Sequence, residues 1–322
     1  MRRLSLALTV GLFALTTGFA FAQSYPNRPI RIVVPFAAGG AVDQLARLMG
    51  NKLTESVNQP VLVENRTGVG GNLAADTVAK SAPDGYTILQ TPNGQAISPS
   101  LYRTLPFDAV KDFTPVTQLV ASNLILVASP KSQITSLREL IALAKAKPGG
   151  LNYGSSGVGN PLHLTMEMLK FATGIDVRAI PYRGDAQINA ALIAGEVQVA
   201  VVPFATARPL IEGGQLRALA ITGARRTAVL PNVPTVAESG VAKFNSTSWQ
   251  GWFVPAKTPR EVVDVIQREA HKAIYTPDML DRLKTLGYEP VGSSPEEFDK
   301  TFKADIAKYA KIIADAHIPK QD

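Results

Sequence analysis

Two glycine-containing loops of this chain carry the groups best suited to holding a small anion. In the first, the apolar residues 30–34 lead into Ala37-Ala38-Gly39-Gly40, and an amphipathic helical pattern follows from Val42. A helix start with uncovered amides favours negative charge, because its unpaired N–H groups and its dipole act together. The loop lacks the lysine of a phosphate-binding loop and the G-x-G-x-x-G of a dinucleotide site. The sequence therefore favours a small carboxylate over a nucleotide.

The second loop contains Ser155, Ser156, Gly157 and Gly159, ahead of a helix expected from about Pro161. For a carboxylate ligand, the simplest interpretation makes the two loops opposed nests of donors facing each other across a cleft. Backbone amides suit this task, because they are already positioned and lose little entropy on binding. The serine hydroxyls add further donors.

Other candidate ligand contacts lie beside these loops: Phe36, Thr91, Asn93, Phe204, Thr206 and Ser248. Phe36 would supply an apolar wall. Thr91 and Asn93 are expected in the loop after a strand at residues 86–89, where they would offer a hydroxyl and an amide. For the other three, the role of an ordinary loop residue is an equal alternative.

Three charged or titratable residues have a structural alternative as well. Asp43 is expected in the first turn of a helix, where a carboxylate stabilises the dipole, and this role is favoured over ligand contact. Arg183 could bind a second carboxylate bidentately, or form a surface or interdomain salt bridge. His163 is expected to be packed and hydrogen-bonded rather than to sense pH in contact with ligand.

The sequence argues against catalysis. Residues 154–158 (Gly-Ser-Ser-Gly-Val) fail the last position of the G-x-S-x-G pattern of serine hydrolases. The chain has three histidines, without H-E-x-x-H or any pair at metal-ligand spacing. No metal or other cofactor is expected. A pair of acidic residues acting together stays open, because its geometry cannot be deduced from spacing.

The elements that must position these loops alternate between strands and helices. Strands are expected at residues 30–34, 61–64, 86–89, 124–128, 151–153, 177–181, 197–202 and 216–221. Helices are expected from Val42, at 72–80, 136–146, 161–173 and 186–194, and through the tail, where residues 258–261 and 294–297 have the capping-box pattern. This alternation predicts an α/β fold with parallel strands, one architecture used twice.

The N-terminus has the features of an export signal. Arg2 and Arg3 precede an apolar stretch that ends in Ala20-Phe21-Ala22, so cleavage is expected after Ala22 and a soluble mature chain from Gln23. The absence of cysteine excludes disulfides, a lipid anchor on cysteine and thiolate metal sites. The formal charge of +7 is spread along the chain, which favours a solvated basic surface over nucleic-acid binding.

A series of short motifs, in order, extends over essentially the whole mature chain. They are Pro35 to Gly40 with Asp43 and Arg47, Glu64 to Asn72, Pro83 to Thr87, Gly154 to Gly159 with His163-Leu164, Pro181 to Gly184, Ala194 to Val197, Leu230 to Gly240, Trp249 to Trp252 and Pro255 to Pro259. Together they resemble the Bug-type solute receptors, the extracytoplasmic subunits of tripartite tricarboxylate transporters.

The resemblance implies two doubly wound αβ domains of the periplasmic-binding-protein type II, a flytrap with two crossover strands. Domain 1 would comprise residues 23–123 and 253–322, and domain 2 residues 124–252. The ligand would lie between them, beyond the carboxyl ends of the strands, where the glycine loops are expected.

Three positions depart from the family pattern. Tyr309 stands where similar proteins usually carry Trp, and Ala191 stands near a position that is usually acidic; both are expected away from the ligand. Asp185 follows Tyr182-Arg-Gly184 at a position that is commonly small and neutral. An extra carboxylate near the cleft could favour a ligand with a cation or hydroxyl groups.

The function expected from the resemblance is that of a monomeric periplasmic receptor without enzymatic activity. It would close on a small carboxylate (a di- or tricarboxylate, an acidic amino acid or an aromatic acid) and present it to membrane transporter subunits. A receptor that docks on the ectodomain of a sensor kinase is an alternative that the sequence does not separate from the first. A secreted hydrolase ranks far below both.

Overall fold

The computed structural model describes residues 25–322, a mixed α/β chain. The expected signal segment, residues 1–22, lies outside the described residues. The strands are β1 (Ile30–Val34), β2 (Val61–Asn65), β3 (Thr87–Pro92), β4 (Phe113–Ala128), β5 (Asn152–Ser155), β6 (Arg178–Pro181), β7 (Val199–Pro203), β8 (Arg217–Ile221), β9 (Thr247–Pro255) and β10 (Tyr288–Pro290). The helices are α1 (Ala41–Val57), α2 (Asn72–Ala79), α3 (Gly94–Leu101), α4 (Leu137–Ala146), α5 (Pro161–Thr173), α6 (Asp185–Ala194), α7 (Phe204–Glu212), α8 (Arg260–Ile274), α9 (Pro277–Thr285) and α10 (Pro295–Asp315).

The strands form one continuous sheet in the order β2-β1-β3-β9-β4-β7-β5-β6, with β8 and β10 also paired to β4. Strand β1 is parallel to β2 and β3, and β5 is parallel to β6 and β7. The middle strands β9 and β4 are antiparallel to each other and to their neighbours β3 and β7. The sheet thus has two parallel groups joined by antiparallel strands.

Strand β4 belongs to both groups. Its residues 113–123 pair with β9, and its residues 124–128 pair with β7 and β8. We call the strands on the β9 side, with the helices on them, the first half, and those on the β7 side the second half. All of β9 pairs with strands of the first half. The two-domain division predicted above stays a prediction.

Each half has its own hydrophobic core. In the first half, consecutive side chains of β9 point to opposite faces: Trp252 packs with α1 and α8, and Phe253 packs with α3 and α10. In the second half, Tyr153 and Val201 lie in one core with α5 and α6. The buried, β-branched strands predicted from the sequence therefore form the middle layer of both halves.

The predicted strands and helices largely have the expected places. Strand β1 and helix α5 have the predicted bounds. Strand β4 begins eleven residues before the predicted Leu124. Helices α3 and α7 were not predicted, and each contains a proline in its interior, Pro99 or Pro209, which the sequence pattern treats as a helix breaker.

The two capping boxes predicted in the tail have different outcomes. The box at Ser294 and Glu297 is confirmed, since each side chain bonds the backbone of the other residue. The box at Thr258 and Glu261 is wrong. Helix α8 starts after Pro259 without a side-chain cap, and the Thr258 hydroxyl donates to the Pro255 carbonyl instead.

None of the helices between residues 25 and 322 is both long and apolar enough to cross a bilayer.

Candidate functional site

A small cavity of about 30 Å³ lies between the two halves of the sheet. Its lining is mostly apolar, with Phe36 and Val42 from the first half and Leu162 from the second. Hydroxyl and amide groups come from Ser122, Ser156, Asn160, Ser248 and Gln250. Of the lining residues within the described chain, only Asp185 is charged. The cavity holds about one water molecule, so a larger solute has to widen it or extend beyond it.

One wall of this cavity consists of Phe36, from the loop between β1 and α1, and of Ala41 and Val42 at the start of α1, whereas residues 37–40 of the loop do not line it. Gly39 has a φ of +83°, which allows the sharp turn into the helix. Several amides of the loop are already paired: Ala37 donates to the Arg183 carbonyl at 3.2 Å, and Gly39 donates to Asp43 Oδ2 at 2.9 Å. At the helix start, the Ala41 amide donates to Asp185 Oδ2 at 3.1 Å. The chain's own oxygens thus occupy two of the four amides of the predicted first nest, those of Ala37 and Gly39.

Asp43 is tied to its surroundings by several bonds. Besides the Gly39 amide, it accepts both Nε and Nη2 of Arg47 and the side-chain amide of Asn65. Burial raises the pKa of its carboxyl, but the bonds from Arg47, Gly39 and Asn65 and the charge of Arg47 together bring that pKa below its usual value. These contacts favour the structural role expected for Asp43.

Asp185, the first residue of α6, reaches the same helix start from the second half. Its side chain is buried, and Oδ2 accepts both the Ala41 amide and the Thr206 hydroxyl, the latter at 2.8 Å. Burial raises the pKa of this carboxyl, and the charge of Asp43 raises it further. A Cβ on Gly40 would lie 2.4 Å from Asp185 Oδ1, so only glycine leaves room for the carboxylate.

The loop between β5 and α5 borders the cavity from the second half. The Ser155 hydroxyl donates to the Gly157 carbonyl at 2.9 Å, and Asn160 Oδ1 caps α5 by accepting the amides of Leu162 and His163. Among residues 25–322, neither the hydroxyl nor the amide of Ser156 has a hydrogen-bond partner. Ser156 therefore offers donors to the cavity that the fold does not use.

The two loops face different segments. The β1–α1 loop packs on residues 183–186: the Ala37 amide bonds Arg183, and Gly39 lies against Ala186. The β5–α5 loop packs on Gly70 of the first half, where a Cβ would lie 2.1 Å from the Val158 carbonyl oxygen. Residues at both loops border the same cavity, but the two predicted nests do not contact each other directly.

A larger pocket of about 340 Å³ opens outside the cavity. Phe36 and Ser156 line both spaces, so they form the partition between them. The outer pocket is also bounded by the turn at residues 67–71, by Gly157 and by Arg183. Arg183 is exposed, and no acceptor for its guanidinium lies within the described part of the chain.

Some predicted contacts lie elsewhere. Thr91 belongs to β3 rather than to a loop, and its hydroxyl donates to the Pro92 carbonyl. Asn93 immediately precedes α3 without capping it through its side chain, which bonds Tyr309 and Ser248 instead. Ser248 lies on the cavity wall, and Asn93 lies behind it. These strand and helix bounds are longer than the sequence pattern indicates, because Pro92 and Pro99 interrupt it.

The other two candidates from the second half are helical. Phe204 is fully buried at the start of α7 and packs on Gly287, where a Cβ would lie 2.3 Å from its ring. Thr206 bonds Asp185 instead of facing the cavity. The alternative of an ordinary loop residue is wrong for both, because residues 204–212 are helical.

His163 is buried in the first turn of α5 behind the cavity wall. Its Nδ1 atom has no hydrogen-bond partner in the described chain. Burial lowers the pKa of the imidazole, and Glu167 offsets this only in part. The ring is therefore neutral at pH 7, packed as expected but without the expected hydrogen bond at Nδ1.

The sequence analysis missed a buried polar network behind the start of α1. Gln90 bonds Gln250, Trp252 and the Val42 carbonyl, and Gln250 also donates to Tyr288. The Tyr288 hydroxyl donates to the Ala41 carbonyl at 3.2 Å. A glutamine inside each of two apolar strands was the available signal, since a buried amide requires partners.

The residues from 25 to 322 contain no cluster of three or more His, Asp or Glu side chains arranged to hold a metal ion.

Comparisons with known proteins identify similar sequences and structures. A family model described as "Tripartite tricarboxylate transporter family receptor" matches residues 45–318. The chain is 33% identical over 318 residues to Protein BugT of Bordetella pertussis, covering 97% of this chain and 98% of that protein. A structure of R. palustris Rpa4515 with adipate has a TM-score of 0.89 and 35% identity, covering 92% of this chain and 100% of that one. MatC of Rhodopseudomonas palustris with bound malate has a TM-score of 0.86 and 29% identity, covering 90% and 100%.

Proposed function

Because the chain belongs to the tripartite tricarboxylate transporter receptor family, we propose that it captures a small carboxylate between the two halves of its sheet and delivers it to membrane transporter subunits. The family assignment confirms the resemblance predicted from the motifs, and the fold is the predicted α/β fold of periplasmic binding proteins. The family consists of solute-binding receptors, so this chain is a receptor and not an enzyme.

The observation that carries the proposal is the cavity with Ser156 on its wall. Ser156 presents an unpaired hydroxyl and amide to the space between the halves, and Gly157 and Arg183 border the adjoining outer pocket. These donors suit a carboxylate. The structural neighbours with adipate and with malate have nearly the same backbone, which supports a carboxylate as the class of ligand.

The proposed function also requires export to the periplasm. We infer export through the signal at residues 1–22, cleavage after Ala22 and action as a periplasmic monomer. On ligand binding, the predicted domain 1 (residues 23–123 and 253–322) would move relative to the predicted domain 2 (residues 124–252). The movement would occur about the point at which β4 passes from one domain to the other.

Isothermal titration calorimetry tests this function. The mature chain from Gln23 is titrated with di- and tricarboxylates, acidic amino acids, monocarboxylates and aromatic acids. We expect saturable binding of at least one class, with one ligand per chain. Absence of binding across the whole panel would contradict the proposal.

A further inference from the structure

The start of α1 is an anion position on the cavity wall, and a side chain of the other half occupies it. Asp185 Oδ2 takes the Ala41 amide, 144 residues away in sequence, and the Thr206 hydroxyl holds the same oxygen. Helix dipole and amide together favour one negative charge at this point. A carboxylate supplied by the ligand would have to compete with one that is already attached to the chain.

The charges around Asp185 make a second carboxylate there unfavourable. The groups packed against it are Asp43 of α1, which has the same sign, and the hydroxyls of Thr206 in α7 and Tyr288 in β10. No lysine or arginine lines the cavity within the described residues. Two carboxylates with few compensating charges repel each other strongly in a buried site.

The wall that contains Ser156 offers hydrogen-bond donors instead of a carboxylate. Ser156 has an unpaired hydroxyl and amide, and Arg183 lies at the rim of the pocket next to it. The site is therefore polarised, with an acceptor at the Asp185 end and donors at the Ser156 end. A ligand that fits this polarity has a carboxylate at one end and a hydrogen-bond donor at the other.

We propose that Asp185 determines specificity: it takes the place of a ligand carboxylate, so that this receptor prefers a small monocarboxylate whose far end carries an ammonium or hydroxyl group over a dicarboxylate of the same length. This inference rests on the proposed function, since it requires that the cavity bind a carboxylate at all. It adds which end of the ligand the chain selects, and by which residue.

Ligands matched in length test the inference by isothermal titration calorimetry at pH 7.5. One series is adipate, 6-aminohexanoate, 6-hydroxyhexanoate and hexanoate; the other is succinate, 4-aminobutyrate, 4-hydroxybutyrate and butyrate. With the mature chain, we expect a donor-ended ligand of at least one series to bind about tenfold or more tightly than the matching dicarboxylate. The ammonium and hydroxyl members distinguish charge pairing from hydrogen bonding, and preference for either one supports the inference.

The variant Asp185→Asn removes the charge and keeps the shape and one acceptor oxygen. It should lower the affinity for the ammonium ligand and raise the affinity for the dicarboxylate. The ratio of the two affinities should therefore fall about tenfold or more. Asp185→Ala tests the same shift without an amide. Asp264→Asn, on the exposed face of α8, is the control for removing an acidic charge and should leave the ratio unchanged. Circular dichroism and thermal unfolding verify that each variant is folded.

The outcomes separate this inference from the function on which it rests. If, in both series, the dicarboxylate binds the unsubstituted chain at least as tightly as the two donor-ended ligands of the same length, the inference is overturned and the receptor function stands. An affinity ratio unchanged in both Asp185 variants would overturn it as well. Failure of all eight ligands and of the broader panel, in the unsubstituted chain and in the variants, would overturn the receptor function and the inference with it.

Discussion

The loops before α1 and α5 are alike in sequence, but they differ in which of their hydrogen-bond donors the chain itself uses. Each follows a buried strand, turns on glycines with positive φ and precedes a helix. Before α1, the amides of Ala37, Gly39 and Ala41 are bonded to oxygens of the chain itself. Before α5, Ser156 keeps an unpaired hydroxyl and amide at the cavity. A glycine turn ahead of a helix is thus a ligand site only where the fold leaves its donors unpaired.

The largest expected effect is a loss of ligand affinity when the β5–α5 loop can no longer pack on Gly70. In Gly70→Ala, the new Cβ would lie 2.1 Å from the Val158 carbonyl oxygen, which is backbone and cannot rotate away. The two halves could then not pack together as they do here, with Gly70 against Val158. We therefore expect ligand affinity to fall about a hundredfold or more. Isothermal titration calorimetry with the best ligand of the panel measures this loss.

A matched control separates this clash from backbone strain. Gly70 and Gly214 have nearly the same φ, +64° and +69°, but a Cβ on Gly214 meets nothing within 4 Å. Gly214→Ala should cost about 1–2 kcal/mol of stability from the left-handed conformation and leave affinity unchanged. Equal affinity losses in the two variants would show that the contact between Gly70 and Val158 is unimportant for binding.

The contact between Gly40 and Asp185 should give the next largest effect. Gly40 has an ordinary φ of −77°, so Gly40→Ala introduces no backbone strain, but its Cβ would lie 2.4 Å from Asp185 Oδ1. We expect a loss of about 1–3 kcal/mol in the free energy of unfolding from overpacking. Urea unfolding measures it.

Asp185→Ala in the same chain should recover most of that loss, because it removes the atom that clashes. A double variant as unstable as the sum of the two single variants would contradict the close packing of Asp185 on the α1 start.

A smaller effect is expected from the two adjacent serines of the second loop. Ser156→Ala removes the unpaired donor and should weaken binding of the best ligand by about 1 kcal/mol, or roughly fivefold in Kd. Ser155→Ala removes the hydroxyl that bonds the Gly157 carbonyl and should lower thermal stability instead. Calorimetry and thermal unfolding on both variants measure the difference. A larger affinity loss in Ser155→Ala than in Ser156→Ala would reverse the assignment.

The smallest effect is a difference in pH dependence between the two carboxylates at the α1 start. The pKa of Asp43 is lowered in the folded state, so its stabilisation is present above pH 4 and is lost as the pH falls below about 4. The pKa of Asp185 is raised, so the folded state takes up a proton first and gains stability as the pH falls towards about 4.

Urea unfolding over this range, compared with Asp43→Asn and Asp185→Asn, isolates each contribution. The unsubstituted chain should become more stable relative to Asp185→Asn as the pH falls towards about 4. Its stability relative to Asp43→Asn should stay level over the same range and decline only below about pH 4. Parallel curves would contradict the opposite environments of the two carboxylates.

The sequence predicted the fold better than it predicted the site. Strand β1 was predictable because four of its five residues are apolar and β-branched, and α5 because Asn160 and Pro161 mark its start. The first part of β4 was missed because its polar residues and Pro115 hide the strand pattern. Such misses arise where pairing within the sheet overrides local preference.

The site depends on contacts between residues far apart in sequence. The α1 start was predictable as a place for an anion, but its pairing with Asp185 spans 144 residues, and no local pattern indicates it. The same holds for the packing of Gly70 on Val158. A single sequence reveals which groups can bind an anion, whereas the fold determines which of them remain unpaired.

The most direct test of the account is a crystal structure of the mature chain with the tightest ligand of the matched series bound. The account predicts that the ligand carboxylate lies within hydrogen-bond distance of Ser156, while Asp185 still accepts the Ala41 amide. A ligand carboxylate on the Ala41 amide, with Asp185 displaced from it, would contradict the account.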